Sequence, residues 1–150
     1  MARLFAEILN DSGLTTDAAF VETTAQKVKD DGPAEFRLLV EKAKGGGGGH
    51  SHGGVFFIDE AYDLDPIGDF KGKPIVTELL TAAKNERESL SIILAGYEDS
   101  IREKLYSYNP GIKSHFEELL FEDLEEEELL LVWNEFMDEY WIRIRSWIWS

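Results

Sequence analysis

Two short runs of the chain are apolar almost throughout, without alternating polar positions. They are GVFFI at residues 54–58 and LSIILAGY at residues 90–97. Runs of this kind are typical of strands buried on both faces, as in a parallel sheet covered by helices. A third run, AAFVET at residues 18–23, is a shorter strand candidate. The pattern therefore predicts a largely buried sheet.

Apolar residues at helical spacing fill the segments between these runs. The spacing predicts helices over residues 2–9, 32–44, 75–85, 98–108 and 125–140. Residues 24–32 are predicted to form a solvated turn ahead of Pro33, and residues 115–123 a further strand. Strands that alternate with helices predict an α/β protein with three α/β/α layers around a mostly parallel sheet.

Composition and charge limit the kinds of molecule that the chain is expected to bind. The chain has 150 residues, 43% of them hydrophobic, which fits about one ordered domain. Thirty acidic against fifteen basic residues give a net charge of -15, which disfavours nucleic acid and anionic membranes as partners. Cysteine is absent, and no apolar run approaches the ~20 residues that span a bilayer. We therefore expect a soluble, cytoplasmic protein.

Two adjacent acids, Asp59 and Glu60, follow the run at residues 54–58. Open α/β sheets bind ligands at the carboxyl ends of their strands, where one carboxylate can hold Mg²⁺ and a second can act on water. From the residues alone, a solvated pair that caps the following turn is an equal alternative. A magnesium-dependent phosphohydrolase that also uses Asp65 is a further, weaker alternative.

The longer strings around these acids resemble a known family. GGVFFIDEAYDLDP at residues 53–66 and DFKGKPIVTELLTAAKNERESLSIILAGYEDSIREKLYSYNPGIKSHFEELLFEDL at residues 69–124 closely resemble AAA+ ATPases of the group that includes red-type rubisco activase and stage V sporulation protein K. The resemblance covers residues 2–137. It implies an incomplete P-loop NTPase core over residues 1–140, from the helix after the phosphate loop to the start of a lid.

The resemblance also implies roles for particular residues. Asp59 would be the carboxylate that holds the metal and Glu60 the catalytic base, while Tyr97 and Gly96 would lie near the γ-phosphate. ATP and Mg²⁺ are the implied cofactors. The implied assembly is a ring, a hexamer in the family, that remodels a protein substrate.

Two departures from the family reduce the expected activity. The phosphate-loop pattern Gly-x4-Gly-Lys-Ser/Thr does not occur in the 150 residues, and GDFKGKP at residues 68–74 is its nearest approach. This loop supplies most of the grip on phosphate, so we expect weak or absent ATP binding. Lys113 and His115 stand where the family carries arginine fingers, which weakens catalysis across a subunit boundary.

Two segments depart from the family in other ways. The implied pore loop falls at residues 24–32, where Lys29, Asp30 and Asp31 stand without an aromatic residue. The tail at residues 141–150 alternates Ile142, Ile144 and Ile148 with arginine and tryptophan. This period of two predicts an extra strand beside residues 118–123, for which the place of the central strand that precedes the phosphate loop is one location, and a frayed end is an equal alternative.

These observations favour a fragment of an AAA+ ATPase that is weakly active or inactive as an isolated chain. Whether it is an enzyme stays open at this point. The alternative is a non-catalytic interaction module that assembles with intact AAA+ subunits.

Overall fold

The computed structural model of the chain describes residues 20–45, 54–122, 125–134 and 137. The chain divides into two units, residues 1–117 and residues 118–150. The first unit contains the sheet and the helices that cover it, and the second contains a helical segment.

Three parallel strands form the described part of the sheet in the first unit. They are β1 (Phe20–Thr24), β2 (Gly54–Asp59) and β3 (Leu90–Leu94), in the order β1-β2-β3. Thr24 lies beside Asp59 and Ile58 lies beside Leu94, so the three carboxyl ends meet at one edge. The predicted α/β class and the three predicted strand positions are confirmed.

The middle strand is the most buried element, as its unbroken apolar run predicts. Residues 54–58 are all buried. Phe56 is fully buried and meets Phe36 edge to face at 5.4 Å between ring centroids. Phe57 stacks with Phe20 of β1 at 6.3 Å. These aromatic contacts join β2 to a helix and to its neighbouring strand.

Helix α1 (Ala25–Ala43) starts immediately after β1. The Thr24 hydroxyl accepts a hydrogen bond from the Lys27 N–H at 3.2 Å, which caps the helix. Gly32 has a φ of 85° and a ψ of 176°, so the helix is kinked there and resumes at Pro33. The predicted solvated turn at residues 24–32 is therefore wrong: Ala25 and Val28 are buried on a first helical segment.

Helix α2 (Gly72–Asn85) starts three residues before its predicted first residue. Its buried face contains Ile75, Val76 and Leu79, which belong to the main core. A side chain at Gly72 would overlap the carbonyl oxygen of Leu64. This close approach seats the start of α2 against the short 3₁₀ helix Ala61–Leu64 that follows the two acids.

The helix predicted for residues 98–108 is shorter and irregular. Helix α3 (Glu98–Ile101) continues into a π-helical turn, Arg102–Tyr106. Leu105 in that turn and Ile112 beyond it are fully buried and complete the core.

The strand predicted for residues 115–123 is wrong within the described residues. Residues 116–122 are irregular, and Leu119, Leu120 and Phe121 are about two-thirds exposed. A strand needs a neighbour that satisfies its backbone groups, and the described sheet ends at β1 and β3. Three acids, Glu117, Glu118 and Glu122, also favour contact with water.

Part of the last predicted helix is confirmed, because residues 126–134 are helical. The helix predicted for residues 2–9 and the strand predicted for the tail lie outside the described residues. Within the described parts of the chain, no helix is both long enough and apolar enough to cross a membrane.

Candidate functional site

The two adjacent acids lie at the carboxyl edge of the sheet. Asp59 is the last residue of β2 and is half-buried beside Thr24 of β1. Its Oδ1 accepts a hydrogen bond from the Glu60 backbone N–H at 2.9 Å. Only the second carboxylate oxygen of Asp59 is therefore left without a hydrogen bond from the adjacent backbone.

Glu60 has a backbone conformation that is unusual for a residue with a side chain. Its φ is 52° and its ψ is 41°, in the left-handed region. The next residue, Ala61, donates its N–H to the Ala95 carbonyl at 2.8 Å, and Ala95 donates to the Ile58 carbonyl at 3.0 Å. These bonds join the ends of β2 and β3 and hold the turn that presents Glu60. Strain of this kind concentrates at functional sites.

Among the described residues, two buried oxygens at this edge have no hydrogen-bond partner. They are Glu60 Oε2 and Thr23 Oγ1. Thr23 is 6% exposed and pairs with Ile58, two residues before Glu60. An unsatisfied buried oxygen costs about 1–3 kcal/mol, so both atoms suit a site that takes up water. Thr23 is not among the site residues predicted from the sequence. The signal for it is that Thr23 stands two positions after Val21, on the same face of the strand, so a polar side chain is placed on a buried face.

The end of β3 contributes the residues that the resemblance places near a phosphate. Gly96 has a φ of 157°, and a Cβ there would approach Tyr62 Cδ1 to 2.8 Å. The Tyr62 and Tyr97 rings stack with centroids 5.9 Å apart, and Tyr97 is 73% exposed. Lys104 Nζ lies 5.4 Å from the Tyr62 ring centroid. Gly96 therefore permits close packing of Tyr62, and Tyr97 presents an accessible ring.

The two basic residues predicted as finger substitutes, Lys113 and His115, are exposed in the turn that follows α3. His115 lines a cleft of about 560 Å³ against α2, together with Thr77, Leu80, Thr81, Lys84, Asn85, Asn109 and Gly111. Helix α2 starts near the carboxyl edge and runs back toward the start of β3. The cleft thus flanks the later turns of α2, and its lining does not include Asp59 or Glu60.

Comparisons with known proteins identify relatives that share this region. No family model matches the chain. The ESX-1 secretion system protein EccA1 of Mycobacterium tuberculosis is 35% identical over 141 residues, covering 89% of this chain and 23% of that protein. The chloroplastic ribulose bisphosphate carboxylase/oxygenase activase of Cyanidioschyzon merolae is 42% identical over 84 residues, covering 53% of this chain and 28% of the relative.

A third relative is protein CbbX of Cereibacter sphaeroides, 38% identical over 91 residues, covering 58% of this chain and 29% of that protein. These relatives belong to the group that the strand and acid motifs resemble. The chain belongs to the AAA+ ATPase family. It spans less than a third of the length of each of these relatives.

The acids of this AAA+ chain fit Mg²⁺ only as part of a larger ligand set. Within the described residues, no group of three or more His, Asp or Glu side chains is placed to hold a metal ion. Mg²⁺ commonly takes one or two protein carboxylates and completes its shell with water and phosphate. Asp59, with one carboxylate oxygen unengaged by the adjacent N–H, suits that role.

Asp65 does not support the alternative phosphohydrolase site. Its Oδ1 accepts a hydrogen bond from the Gly68 N–H at 2.9 Å, and its Oδ2 lies 3.9 Å from Lys104 Nζ. The Asp65 carboxylate therefore shapes the loop that precedes α2. The geometry favours the Asp59 and Glu60 pair of the AAA+ family over a three-carboxylate site.

The residues of the implied pore loop hold the α1 start against the loop at residues 65–71. Lys29 is 8% exposed, and its Nζ lies 3.0 Å from Asp69 Oδ2. Asp30 Oδ1 lies 3.2 Å from Lys71 Nζ. The same loop exposes Phe70 to 79%.

The Lys29 and Asp69 pair predicts acid-sensitive stability. The hydrogen bond from Lys29, followed by that from the Lys71 N–H, holds the pKa of Asp69 below its ordinary value. Because the folded pKa is the lower one, the contribution is complete above the unfolded pKa and is lost as pH falls through the folded pKa. We expect Asp69→Asn to lower the Tm at neutral pH and to reduce the fall in Tm on acidification.

Thermal unfolding is followed by circular dichroism from neutral pH down to below the folded pKa of Asp69, and this checks the expectation. Asp31→Asn is the matched control, because Asp31 pairs with Lys27, which is 64% exposed, and exposed pairs contribute little. Equal Tm losses in the two variants would show that burial of Lys29 adds nothing to the pair.

Proposed function

We propose that this chain supplies the metal-and-water part of an AAA+ ATP hydrolysis site. In this proposal Asp59 holds Mg²⁺, Glu60 orients and deprotonates the attacking water, and Tyr97 and Gly96 lie toward the γ-phosphate. The isolated 150 residues hydrolyse ATP slowly or not at all, because they contain no phosphate-loop pattern.

The observation that carries the proposal is the environment of Glu60. A carboxylate oxygen that is buried, unpartnered and held by a left-handed turn at the carboxyl edge of a parallel sheet suits a group that acts on water. Ordinary turn capping does not explain it, since Asp59 already accepts the Glu60 N–H.

Phosphate release from ATP by the isolated chain tests the activity part of the proposal. We expect release at the level of a protein-free blank in the presence of Mg²⁺, and no further decrease in Glu60→Gln. Release that is well above the blank and disappears in Glu60→Gln would overturn the expectation of inactivity and show that Glu60 already works in this chain.

A second candidate is a non-catalytic module that assembles with intact AAA+ subunits. The lack of a phosphate-loop pattern within the 150 residues favours it, because nucleotide binding then requires phosphate-binding groups from outside these residues. We expect a mixture with the complete Cereibacter sphaeroides CbbX to give a shared peak in size exclusion. Separate elution of the two proteins over a range of concentrations would count against this candidate.

The wider setting of the site is also part of the proposal. It comprises ATP and Mg²⁺ as cofactors, a ring of subunits that is hexameric in the family, remodelling of a protein substrate, and a cytoplasmic location. In such a ring Lys113 would contribute positive charge at a subunit boundary, with less precise recognition of phosphate than arginine gives, and His115 would occupy the second finger position.

A further inference from the structure

Tyr62 lies between the acids at the end of β2 and the end of β3. It is the second residue of the 3₁₀ helix Ala61–Leu64, which begins directly after Glu60. The Asp63 N–H donates a hydrogen bond to the Glu60 carbonyl at 2.8 Å. The Asp65 N–H donates to the Tyr62 carbonyl at 3.2 Å. These bonds fix the backbone from which the Tyr62 side chain starts relative to Glu60.

The ring of Tyr62 packs against the residues just beyond β3. Its centroid lies 5.9 Å from that of the Tyr97 ring, and the two ring planes differ by 27°. A Cβ at Gly96 would approach Tyr62 Cδ1 to 2.8 Å and Cε1 to 3.2 Å. Packed carbon atoms lie about 3.5–4.0 Å apart, so only glycine at this position leaves room for the ring beside Tyr97.

Lys104 is a third neighbour of the Tyr62 ring. Its Nζ lies 5.4 Å from the ring centroid, within the range of a cation–π interaction. The same Nζ lies 3.9 Å from Asp65 Oδ2. Lys104 belongs to the π-helical turn Arg102–Tyr106, and such turns are frequent at functional sites. The ring is therefore held both from the end of β3 and from the segment after α3.

Packing of the main core does not account for this stack. Neither Tyr62 nor Tyr97 belongs to the hydrophobic core of the described residues, which joins the sheet to its helices. The stack instead joins the turn that presents Glu60 to the residues that follow β3. Its contacts thus lie at the carboxyl edge, where the candidate site is.

We propose that Tyr62 is a positioning residue that holds the Tyr97 ring in a fixed relation to Glu60. This inference rests on the proposed function, in which Tyr97 lies toward the γ-phosphate and Glu60 acts on water. Misplacing a positioned group by about 1 Å can slow a reaction by about 10²-fold. Tyr62 contacts neither phosphate nor water in this account, so its loss slows turnover without weakening nucleotide binding.

Ring-proton NMR shifts test the stack on the 150-residue chain without nucleotide. The Tyr97 signals, assigned by their loss in Tyr97→Phe, are expected to be displaced from those of a free tyrosine by the ring current of Tyr62. Tyr62→Leu should abolish the displacement, and Tyr62→Phe should retain it, because stacking needs the ring and not the hydroxyl. Tyr108→Leu is the matched control: it removes an equal ring, 38% exposed, and should leave the displacement unchanged.

Gly96→Ala keeps the test decisive if Tyr62→Leu fails to fold. The added Cβ pushes the Tyr62 ring away from Tyr97 without removing it. We therefore expect the same loss of displacement in the Tyr97 signals. Tyr97 signals that stay displaced in a folded Tyr62→Leu or Gly96→Ala variant overturn the proposal.

Turnover is measured in a fusion that supplies a Gly-x4-Gly-Lys-Thr segment ahead of Ala2. We expect Tyr62→Leu to lower kcat by about 10²-fold with ATP binding unchanged, and Tyr62→Phe to restore most of the rate. An unchanged kcat in Tyr62→Leu overturns the proposal. An unsubstituted fusion without turnover counts against the proposed function instead, and the Tyr97 displacement then decides whether Tyr62 holds that ring.

Discussion

Phosphate release from ATP is expected to fall by about 10²–10⁴-fold in Glu60→Gln once this chain is joined to a phosphate loop, the range for loss of a positioned general base. The test protein is a fusion that places a Gly-x4-Gly-Lys-Thr segment ahead of Ala2. The loop supplies backbone N–H groups and a lysine that grip the phosphates. Glutamine keeps the shape of Glu60 but does not take up a proton.

The measurement is steady-state phosphate release with nucleotide binding followed in parallel. Binding is expected to be equal in the fusion and in its Glu60→Gln variant, because Glu60 acts on water. Glu88→Gln is the control: Glu88 is exposed in the turn before β3, at the edge of the sheet opposite Glu60. It should leave turnover unchanged.

Two outcomes would contradict this account. Undiminished release in the Glu60→Gln fusion would remove Glu60 as the base. A fusion that binds ATP tightly but does not hydrolyse it would show that the phosphate grip is not the main deficiency of the chain. The next substitution would then be His115→Arg, since an arginine at a subunit boundary stabilises the transferring phosphate.

The elements that the sequence predicts well are those whose signal is local and repeated. The run Val55–Ile58 has no polar position, and such a strand fits only the middle of a covered sheet. The buried positions of α2 likewise recur at helical spacing. In both cases the side-chain pattern and the tertiary environment agree, so the pattern alone is sufficient.

The first segment of α1 was predicted wrongly because two helix-breaking residues follow it. Gly32 and Pro33 do mark a boundary, but it is a kink within one helical element. The decisive features are the Thr24 cap and the ion pair between Lys29 and Asp69, forty residues away in sequence. A contact between residues so far apart in the sequence produces no periodic pattern of hydrophobic and polar residues from which it could be predicted.

The candidate site likewise has features that the sequence predicts and features that it does not. Two acids after a buried strand are readable from the sequence, and Asp59 and Glu60 lie where that order places them. The left-handed turn at Glu60 and its unpartnered oxygen depend on the bonds between the ends of β2 and β3. Those bonds arise only once the strands are in register.

Phe56→Ala is expected to lower the free energy of unfolding by about 3–5 kcal/mol, the usual cost of removing a buried phenyl ring. Phe56 is fully buried at the centre of β2 and meets the Phe36 ring of α1 at 5.4 Å. Its loss leaves a cavity between the sheet and α1. A domain stable by about 5–15 kcal/mol retains little margin after that loss.

Urea unfolding followed by circular dichroism measures the change, and Phe70→Ala is the matched control. Both substitutions remove the same ring, but Phe70 is 79% exposed on the loop before α2. Surface substitutions usually change stability by no more than about 0.5 kcal/mol. A loss at Phe70 that approached the loss at Phe56 would place that loop inside a packed interface. A loss at Phe56 below about 1 kcal/mol, the centre of the range for point substitutions of all kinds, would contradict a sheet packed on α1 through this ring.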